Sequence, residues 1–471
     1  MIVMKFGGSS VQDATAIRRV ASIVASRMKE HPLVVVSAMG GVTDKLVQVA
    51  DSAPRNELSP ALKLLEGIRA MHMAASGEML NAPEAAAFAL KLDSHLTEAT
   101  ALATQIASQG SATAAQHSHI LSLGEVLSSE LVAAAFAALG VPSAHADARK
   151  LIVTDNRHPV ASPIASPTRT KLLEAIPALL ERKLVPVVGG FIASSECGEV
   201  TTLGRGGSDY SAAIIGAALM ADRIEIWTDV SGILTTDPRI CPQAQRIAEI
   251  SFNEATELAC FGAKVLHPAT LLPAVEHDIP VAVLNSHRPS DAGTIIRAIA
   301  AQGPSSFRAI AAKRNISVFN VRAPRHVGSQ RFLDDLFSLL RWHHLKSELV
   351  AISGASASVA VEGGRELVKL TYELETLGAV DFQPEMAIIC LVGENIRGCI
   401  GIASEVFGVL AAAGINIRMI SQGSSEISVS FVVEEKDAVK SVQHLHRHFF
   451  EQTPTKISHA SLATPRETAQ A

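Results

Sequence analysis

Short all-apolar runs alternate with longer stretches of helical periodicity through roughly the first two thirds of the chain, an α/β grammar. Ile2–Phe6 reads as a buried strand that runs into Gly7-Gly8. Asp13–Lys29 carries apolar Ala16, Ile17, Val20, Ile23 and Val24 at spacings of one, three and four, which predicts a helix. Leu33-Val34-Val35-Val36 is apolar without interruption, as in a parallel strand covered on both faces. A run of Ala-rich helices is expected from Pro60 to Leu139, with Met71, Met73 and Met79 as gap-filling core. Strands return at Val185–Ile192, Arg223–Trp227 and Val281–Leu284. Each ends in a polar or glycine-rich turn, and open α/β sheets bind ligands at the carboxyl ends of their strands.

The last third follows another pattern, in which apolar positions match at an offset of 70 residues. Gly328 falls on Gly398, Phe337 on Phe407, Leu340 on Leu410, Leu345 on Ile415 and Val359 on Val429. Each copy reads strand–helix–strand–strand–helix. The first runs Ile316–Val321, Gln330–Trp342, Leu345–Ile352, Ser356–Val361 and Arg365–Leu377. The second runs Ala387–Val392, Ile402–Ala413, Ile415–Ile420, Glu426–Val433 and Asp437–Phe449. So long a period signals a duplicated small α+β domain rather than a solenoid. Ala298–Arg308 is the expected linker and Ala463–Ala471 a frayed tail.

Composition narrows the function. With 471 residues, 48% hydrophobic and 18% charged, the chain can bury several cores and is not disordered. A net charge of −5 gives no electrostatic footprint for nucleic acid or for an anionic membrane. The N-terminus shows no signal-peptide pattern, and Ala-rich stretches such as Leu131–Ala138 read as too short to span a bilayer, so a cytoplasmic protein is expected. Cys197, Cys241, Cys260, Cys390 and Cys399 show no CxxC spacing and read as small buried hydrophobes, not staples or zinc ligands.

Neither GxxxxGK[ST] nor GxGxxG occurs. Three other turns carry candidate chemistry. Lys5-Phe6-Gly7-Gly8-Ser9-Ser10 puts a cation at a strand end before two glycines, which let backbone approach a phosphate; alone, it could equally be a tight turn with an exposed lysine. Thr201-Thr202-Leu203-Gly204-Arg205-Gly206-Gly207-Ser208-Asp209, downstream of Gly189-Gly190-Phe191, is a cradle for phosphate or carboxylate, with Arg205 as a planar fork. Trp227-Thr228-Asp229-Val230, with Asp237-Pro238-Arg239 beyond it, offers hydroxyl and acidic groups for ribose or amino-group hydrogen bonds.

The first turn, Gly204–Asp209, Trp227–Val230 and Gly262-Ala263-Lys264-Val265-Leu266-His267-Pro268 occur together in one order. In this the chain resembles the aspartate kinases of the amino-acid kinase superfamily, from Met1 to about Ser461. The second repeat copy is similar to their ACT domains through Gly414-Ile415-Asn416-Ile417 and Ile420-Ser421-Gln422-Gly423. The resemblance implies an amino-acid kinase fold, a mostly parallel sheet sandwiched by helices, over residues 1–297. Two ferredoxin-like ACT domains over 308–380 and 381–454 would follow, the second inserted into the first as an alternative, and then a tail over 463–471. It implies transfer of the ATP γ-phosphoryl group to the β-carboxylate of L-aspartate, with Mg²⁺ carried on the ATP phosphates and no protein metal ligands. The resemblance leaves lysine, threonine, both or neither as effector, and a homodimer or homotetramer would form through the ACT domains. Carried over by position, Lys5, Asp209 and Lys264 are catalytic, and Ser37, Thr43, Glu125, Phe191, Arg205 and Ser208 bind aspartate. Lys5, Gly7, Gly8, Ser9, Thr228, Asp229, Leu234, Arg239, Lys264 and Val265 bind ATP. In this reading Glu125 receives the substrate's α-ammonium, Arg205 clamps its α-carboxylate and Asp209 orients Lys5.

The departures lie at Leu234, where many relatives carry an aromatic residue, and in the first ACT copy, where Leu345-Lys346-Ser347-Glu348 and the turn Gly328–Leu333 are unusual. The chain stops after the second copy, so no fused homoserine dehydrogenase is expected. Two alternatives stand beside this reading: a kinase for another amino-acid carboxylate, and a non-catalytic amino-acid sensor. His444, His446 and His448 alternate along a helix and read as a solvated helix end, and His117 and His119 as loop residues.

Overall fold

The computed structural model describes residues 1–55, 58–262, 268–301, 305–324, 328–423 and 425–451. Lys264, Val265, residues 302–304 of the expected linker and the tail 463–471 lie outside the described residues. The chain divides into two units. The first comprises Met1–Ile233, Ala248–Phe252 and Val265–Ala300, and the second Leu234–Ile247, Asn253–Lys264 and Ala301–Ala471.

The strands of the first unit are β1 (Ile2–Phe6), β2 (Pro32–Val36), β3 (Ser143–Ala146), β4 (Val153–Thr154), β5 (Val185–Gly189), β6 (Ile192–Ser195), β7 (Val200–Thr202), β8 (Arg223–Thr228), β9 (Glu249–Ser251), β10 (Val281–Asn285) and β11 (Thr294–Arg297). Eight of them form one sheet in the order β3-β5-β2-β1-β8-β10-β11-β9. β1 runs parallel to both neighbours, with Lys5 level with Val35 on one side and Ile226 on the other. Only the β10–β11 pairing in this sheet is antiparallel. Because the chain leaves β1 for β2 on one side and reaches β8 on the other, the carboxyl end of β1 is a topological switch point, where the adjacent connections diverge and leave a crevice.

The expected strand Val185–Ile192 is broken by Gly190-Phe191 into β5 and β6, which belong to different sheets. Phe191 sits at φ 65° and its amide donates to Ser211 Oγ at 2.9 Å.

The Ala-rich region forms the helices Leu58–Met79, Ala82–Gln109 and Ala114–Ala138. The second and third each start in a reciprocal capping box, Asn81 with Glu84 and Thr113 with Gln116. The Thr113 cap carries the third helix upstream through His117 and His119, so those residues are helical rather than on a loop. At 25 residues this helix is long and apolar enough to cross a membrane by length and composition, contrary to the reading of its Ala-rich stretch as too short. Its apolar window is 83% buried inside the protein, which accounts for the hydrophobicity as core packing.

The second unit carries β12 (Ala309–Arg322), β13 (Ser347–Ser353), β14 (Ser356–Glu362), β15 (Ala379–Val392), β16 (Met419–Ser421) and β17 (Ser428–Glu434), in the order β13-β14-β12-β15-β17-β16. The order is a palindrome of the repeat, and its centre is the antiparallel pair β12–β15. Helix Ser329–Trp342 packs Phe332, Leu336 and Leu340 into one core with Val359, and helix Ile402–Ala412 packs Val406 and Leu410 into the other with Val429. Both long strands serve both cores: Ile310 at the start of β12 lies in the second, and Phe382 at the start of β15 packs on the first. Glu348, part of the unusual first-copy strand, is half-buried with its side chain only 5% exposed, and Lys313 holds it at 3.1 Å. No disulfide joins any of the five cysteines, and only Cys241 and Cys390 are buried; Cys197 and Cys260 are exposed, which corrects their reading as a uniformly buried set.

Candidate active site

Lys5 is the last but one residue of β1, so strand alternation turns it away from the core that Met4 and Phe6 fill. Its Nζ meets Asp209 Oδ1 at 2.6 Å, and both side chains keep partial exposure, 12% and 15%. Asp209 and Ser208 lie in the first turn of the helix Gly207–Ala218, whose N-cap Gly206 is left-handed (φ 72°). The helix amide groups therefore open toward the same space, and a helix N-terminus favours an anionic group.

Close backbone packing sets this turn. A Cβ on Gly190 would lie 2.7 Å from Ser208 Cα, and one on Gly207 2.7 Å from the Phe191 ring. Gly190→Ala is therefore expected to cost about 1–3 kcal/mol of stability by overpacking and to displace Ser208. Thermal unfolding and the KM for the amino-acid substrate measure these effects; an unshifted KM would show that Ser208 is not displaced.

Glu125 reaches the site from the middle of the helix Ala114–Ala138. Its neighbour Gly124 makes this possible, since a Cβ there would lie 2.8 Å from Ala38 Cβ and force the helix off the strand end. The Glu125 carboxyl takes a hydrogen bond from the Ala38 amide, yet its Oε2 is buried without a partner. Burial pushes its pKa up to about 8, against the smaller opposing pull of backbone hydrogen bonds and of Lys5.

These groups line one cleft. It holds Lys5, Glu125, Arg205 and Asp209, together with Ser37, Thr43, Phe191 and Ser208. Arg205 is exposed at its wall and makes no ion pair among the described residues. The cleft thus presents two cations, a carboxylate paired to one of them, a second carboxyl with a free oxygen, and hydroxyls. That set can hold a zwitterion and an anion side by side. Thr202, from the Thr201–Asp209 run, also lines it, as do His117, Leu121, Pro159 and Val160, which nothing in their local sequence marks because loop and helix packing alone brings them there.

The other sequence-predicted residues fall elsewhere. Gly7 donates its amide to Trp227 O at 3.3 Å, which ties the Gly7-Gly8-Ser9 turn to the end of β8, where Thr228 bonds Asp229 at 3.1 Å. A Cβ on Gly8 would stand 2.9 Å from Ala38 O, so that turn has room only for glycine. None of these five lines the cleft, which ends short of them. Leu234 and Arg239 belong to the second unit, where Leu234 bridges Arg246 and Arg239 forks onto Asp237 at 2.7 Å while staying 88% exposed.

The model of the Amino acid kinase family matches residues 1–285, and that of the ACT domain matches residues 389–449. Lysine-sensitive aspartokinase 3 of Escherichia coli is 38% identical and the match covers 96% of this chain and 99% of that protein. Aspartokinase 1, chloroplastic, of Arabidopsis thaliana is 36% identical, with 95% and 80% covered. Among solved structures, E. coli aspartokinase III in complex with lysine and aspartate superposes with a TM-score of 0.84 at 36% identity, covering 96% of this chain and 99% of that one. The same enzyme with aspartate and ADP gives 0.77, covering 95% and 99%. The chain belongs to the amino acid kinase family and, within it, to the aspartokinases.

Proposed function

We propose that the protein is an aspartate kinase that converts ATP and L-aspartate to ADP and 4-phospho-L-aspartate, the entry step to lysine, threonine and methionine. The observation that carries this reading is the single cleft in which Lys5, Glu125, Arg205 and Asp209 converge. In this reading the α-ammonium of aspartate pairs with Glu125 and its α-carboxylate with the fork of Arg205, while Ser37, Thr43, Phe191 and Ser208 shape the remaining pocket. The β-carboxylate then attacks the γ-phosphorus in line, and no protein nucleophile is required. Catalysis consists of positioning and charge stabilisation. Lys5, held by Asp209, supplies positive charge at the transferring phosphoryl group, and Lys264 would supply a second charge. Gly7, Gly8 and Ser9 would lie along the phosphates, which suits a turn with no space for side chains at Gly8. Thr228, Asp229, Leu234, Arg239 and Val265 would contact the rest of the nucleotide. When bound on the ATP phosphates, Mg²⁺ would add further charge neutralisation.

A hydroxylamine trap tests the reaction. Purified protein with Mg-ATP and L-aspartate should yield aspartyl hydroxamate, which reports the acyl phosphate. Nucleotide binding without product would move the acceptor to another carboxylate, and no nucleotide binding would favour the sensor. The lysine-bound relative supports lysine as effector at the ACT pair, so lysine should depress hydroxamate formation more than threonine does. Arg205→Lys should raise the KM for aspartate about tenfold or more, since an ammonium lacks the two-pronged contact. An unchanged KM would take Arg205 out of the carboxylate clamp.

A further inference from the structure

We propose a second site in the regulatory half: a thiophilic divalent-cation site, suited to Zn²⁺, formed by Cys241, His446 and Glu451. Their ligand atoms lie within 4.8 Å of one another. Cys241 Sγ is 3.4 Å from His446 Nδ1 and 3.9 Å from Glu451 Oε1, and Nδ1 and Oε1 are 2.7 Å apart. Tetrahedral Zn²⁺, with bonds of about 2.0–2.1 Å to nitrogen and oxygen and about 2.3 Å to sulfur, needs ligand separations of about 3.3–3.6 Å. Opening the His446–Glu451 contact by about 0.6 Å reaches that geometry, and Glu451, 29% exposed, is the ligand with room to move.

The backbone assembles this set from three directions. The helix Ala438–His446 continues into a π-helical turn, Arg447–Glu451, and the wider turn brings positions i and i+5 onto one face, so Glu451 stands beside His446. The loop that carries Cys241 is closed by Thr235 and Gln245, whose backbone groups bond at 2.8 Å. It is pinned to the helix end by Gln443 on Ile240 O and Gln245 on Phe450 O. Thr235 Oγ1 meets the remaining ring nitrogen of His446 at 2.8 Å, the orienting contact that a metal-bound imidazole makes with its outer shell. His446 is fully buried and Cys241 3% exposed, so this part of the helix end is not solvated as its alternating histidines suggested.

Charge and softness select the ion. One thiolate and one carboxylate neutralise a divalent cation, and a thiolate with an imidazole favours Zn²⁺ or Co²⁺ over Mg²⁺. On binding, the thiol proton is released to solvent, and the neutral imidazole carries its one proton on Nε2, which donates a hydrogen bond to Thr235 Oγ1. Solvent fills the fourth position on the side where Glu451 is exposed. The bound ion would cross-link the Leu234–Ile247 segment to the C-terminal helix.

The experiment is a Co²⁺ titration of the chelator-treated full chain without nucleotide. One Co²⁺ per chain should bind, with a thiolate-to-cobalt charge-transfer band and visible d–d bands of tetrahedral intensity. Zn²⁺ should bleach them, and millimolar Mg²⁺ should not. Cys241→Ser should abolish the charge-transfer band. Glu451→Gln, at a partly exposed position, should keep the band at saturation but raise the Co²⁺ Kd by about 10-fold or more. No band in the wild type, a band that survives in Cys241→Ser, or an unchanged Kd in Glu451→Gln would each overturn the site.

Discussion

Lys5→Ala is expected to lower kcat by about 10³-fold or more while the protein stays folded, because the lost charge acts on the phosphoryl group in the transition state. The position leaves little scope for substitution. Lys5 lies on a central strand bonded on both sides, so its Nζ is delivered to the cleft by a firmly held backbone. Its only ion pair among the described residues, with Asp209, is part-exposed, so losing it costs far less stability than activity. KM values for both substrates should change much less than kcat, as for an interaction made mainly in the transition state. Single-turnover kinetics with circular dichroism as a fold control measures this. A kcat within threefold or so of wild type would remove Lys5 from the phosphoryl clamp.

The second large effect concerns Glu125 and has a defined pH signature. Desolvation holds its carboxyl protonated in the free protein up to about pH 8. An ammonium group needs the carboxylate, so aspartate binding below that pH must expel the proton. The KM for aspartate should therefore fall about tenfold per pH unit from pH 6 to 8 and level off above, while the KM for ATP stays flat. Glu125→Gln should remove that slope and raise the KM for aspartate about 10- to 100-fold, the worth of one or two hydrogen bonds to a charged group. Parallel pH profiles in wild type and variant would exclude Glu125 as the ammonium receptor.

Stability gives an independent readout of the same group. A folded pKa raised above the unfolded value contributes stability that is present in full below pH 4.5 and is lost as pH rises to about 8. Ligand-free Glu125→Gln should therefore be more stable than wild type at pH 9, by on the order of a few kcal/mol.

Much of the site was legible in the chain because it resides in local turns. Lys5-Phe6-Gly7-Gly8 and Gly204–Asp209 advertise close backbone approach, and the structure explains that density: Gly8, Gly190 and Gly207 each face a neighbour that a Cβ would strike. Val185–Ile192 reads as one strand although Gly189-Gly190-Phe191 also reads as a turn, because a period-two pattern does not register a single residue at positive φ. His117 reads as a loop residue in the sequence, whereas the Thr113 capping box starts the helix upstream of it.

The chain by itself determined the alternation of strands and helices, the duplication in its last third and the amino-acid-kinase turns, since each depends on neighbours within a few residues or on a repeated pattern. The tertiary structure alone decided which turns share a cleft, and that Thr228 and Asp229 stand outside it. It decided that Glu125 lies at the end of β2, where Gly124 lets its helix touch Ala38, and that burial pushes the pKa of its carboxyl up to about 8. It also joined Cys241 to His446 across 205 positions of sequence. Burial and encounters between distant side chains depend on how whole elements pack, and hydrophobic periodicity specifies only the face that each element buries, not the partner it meets.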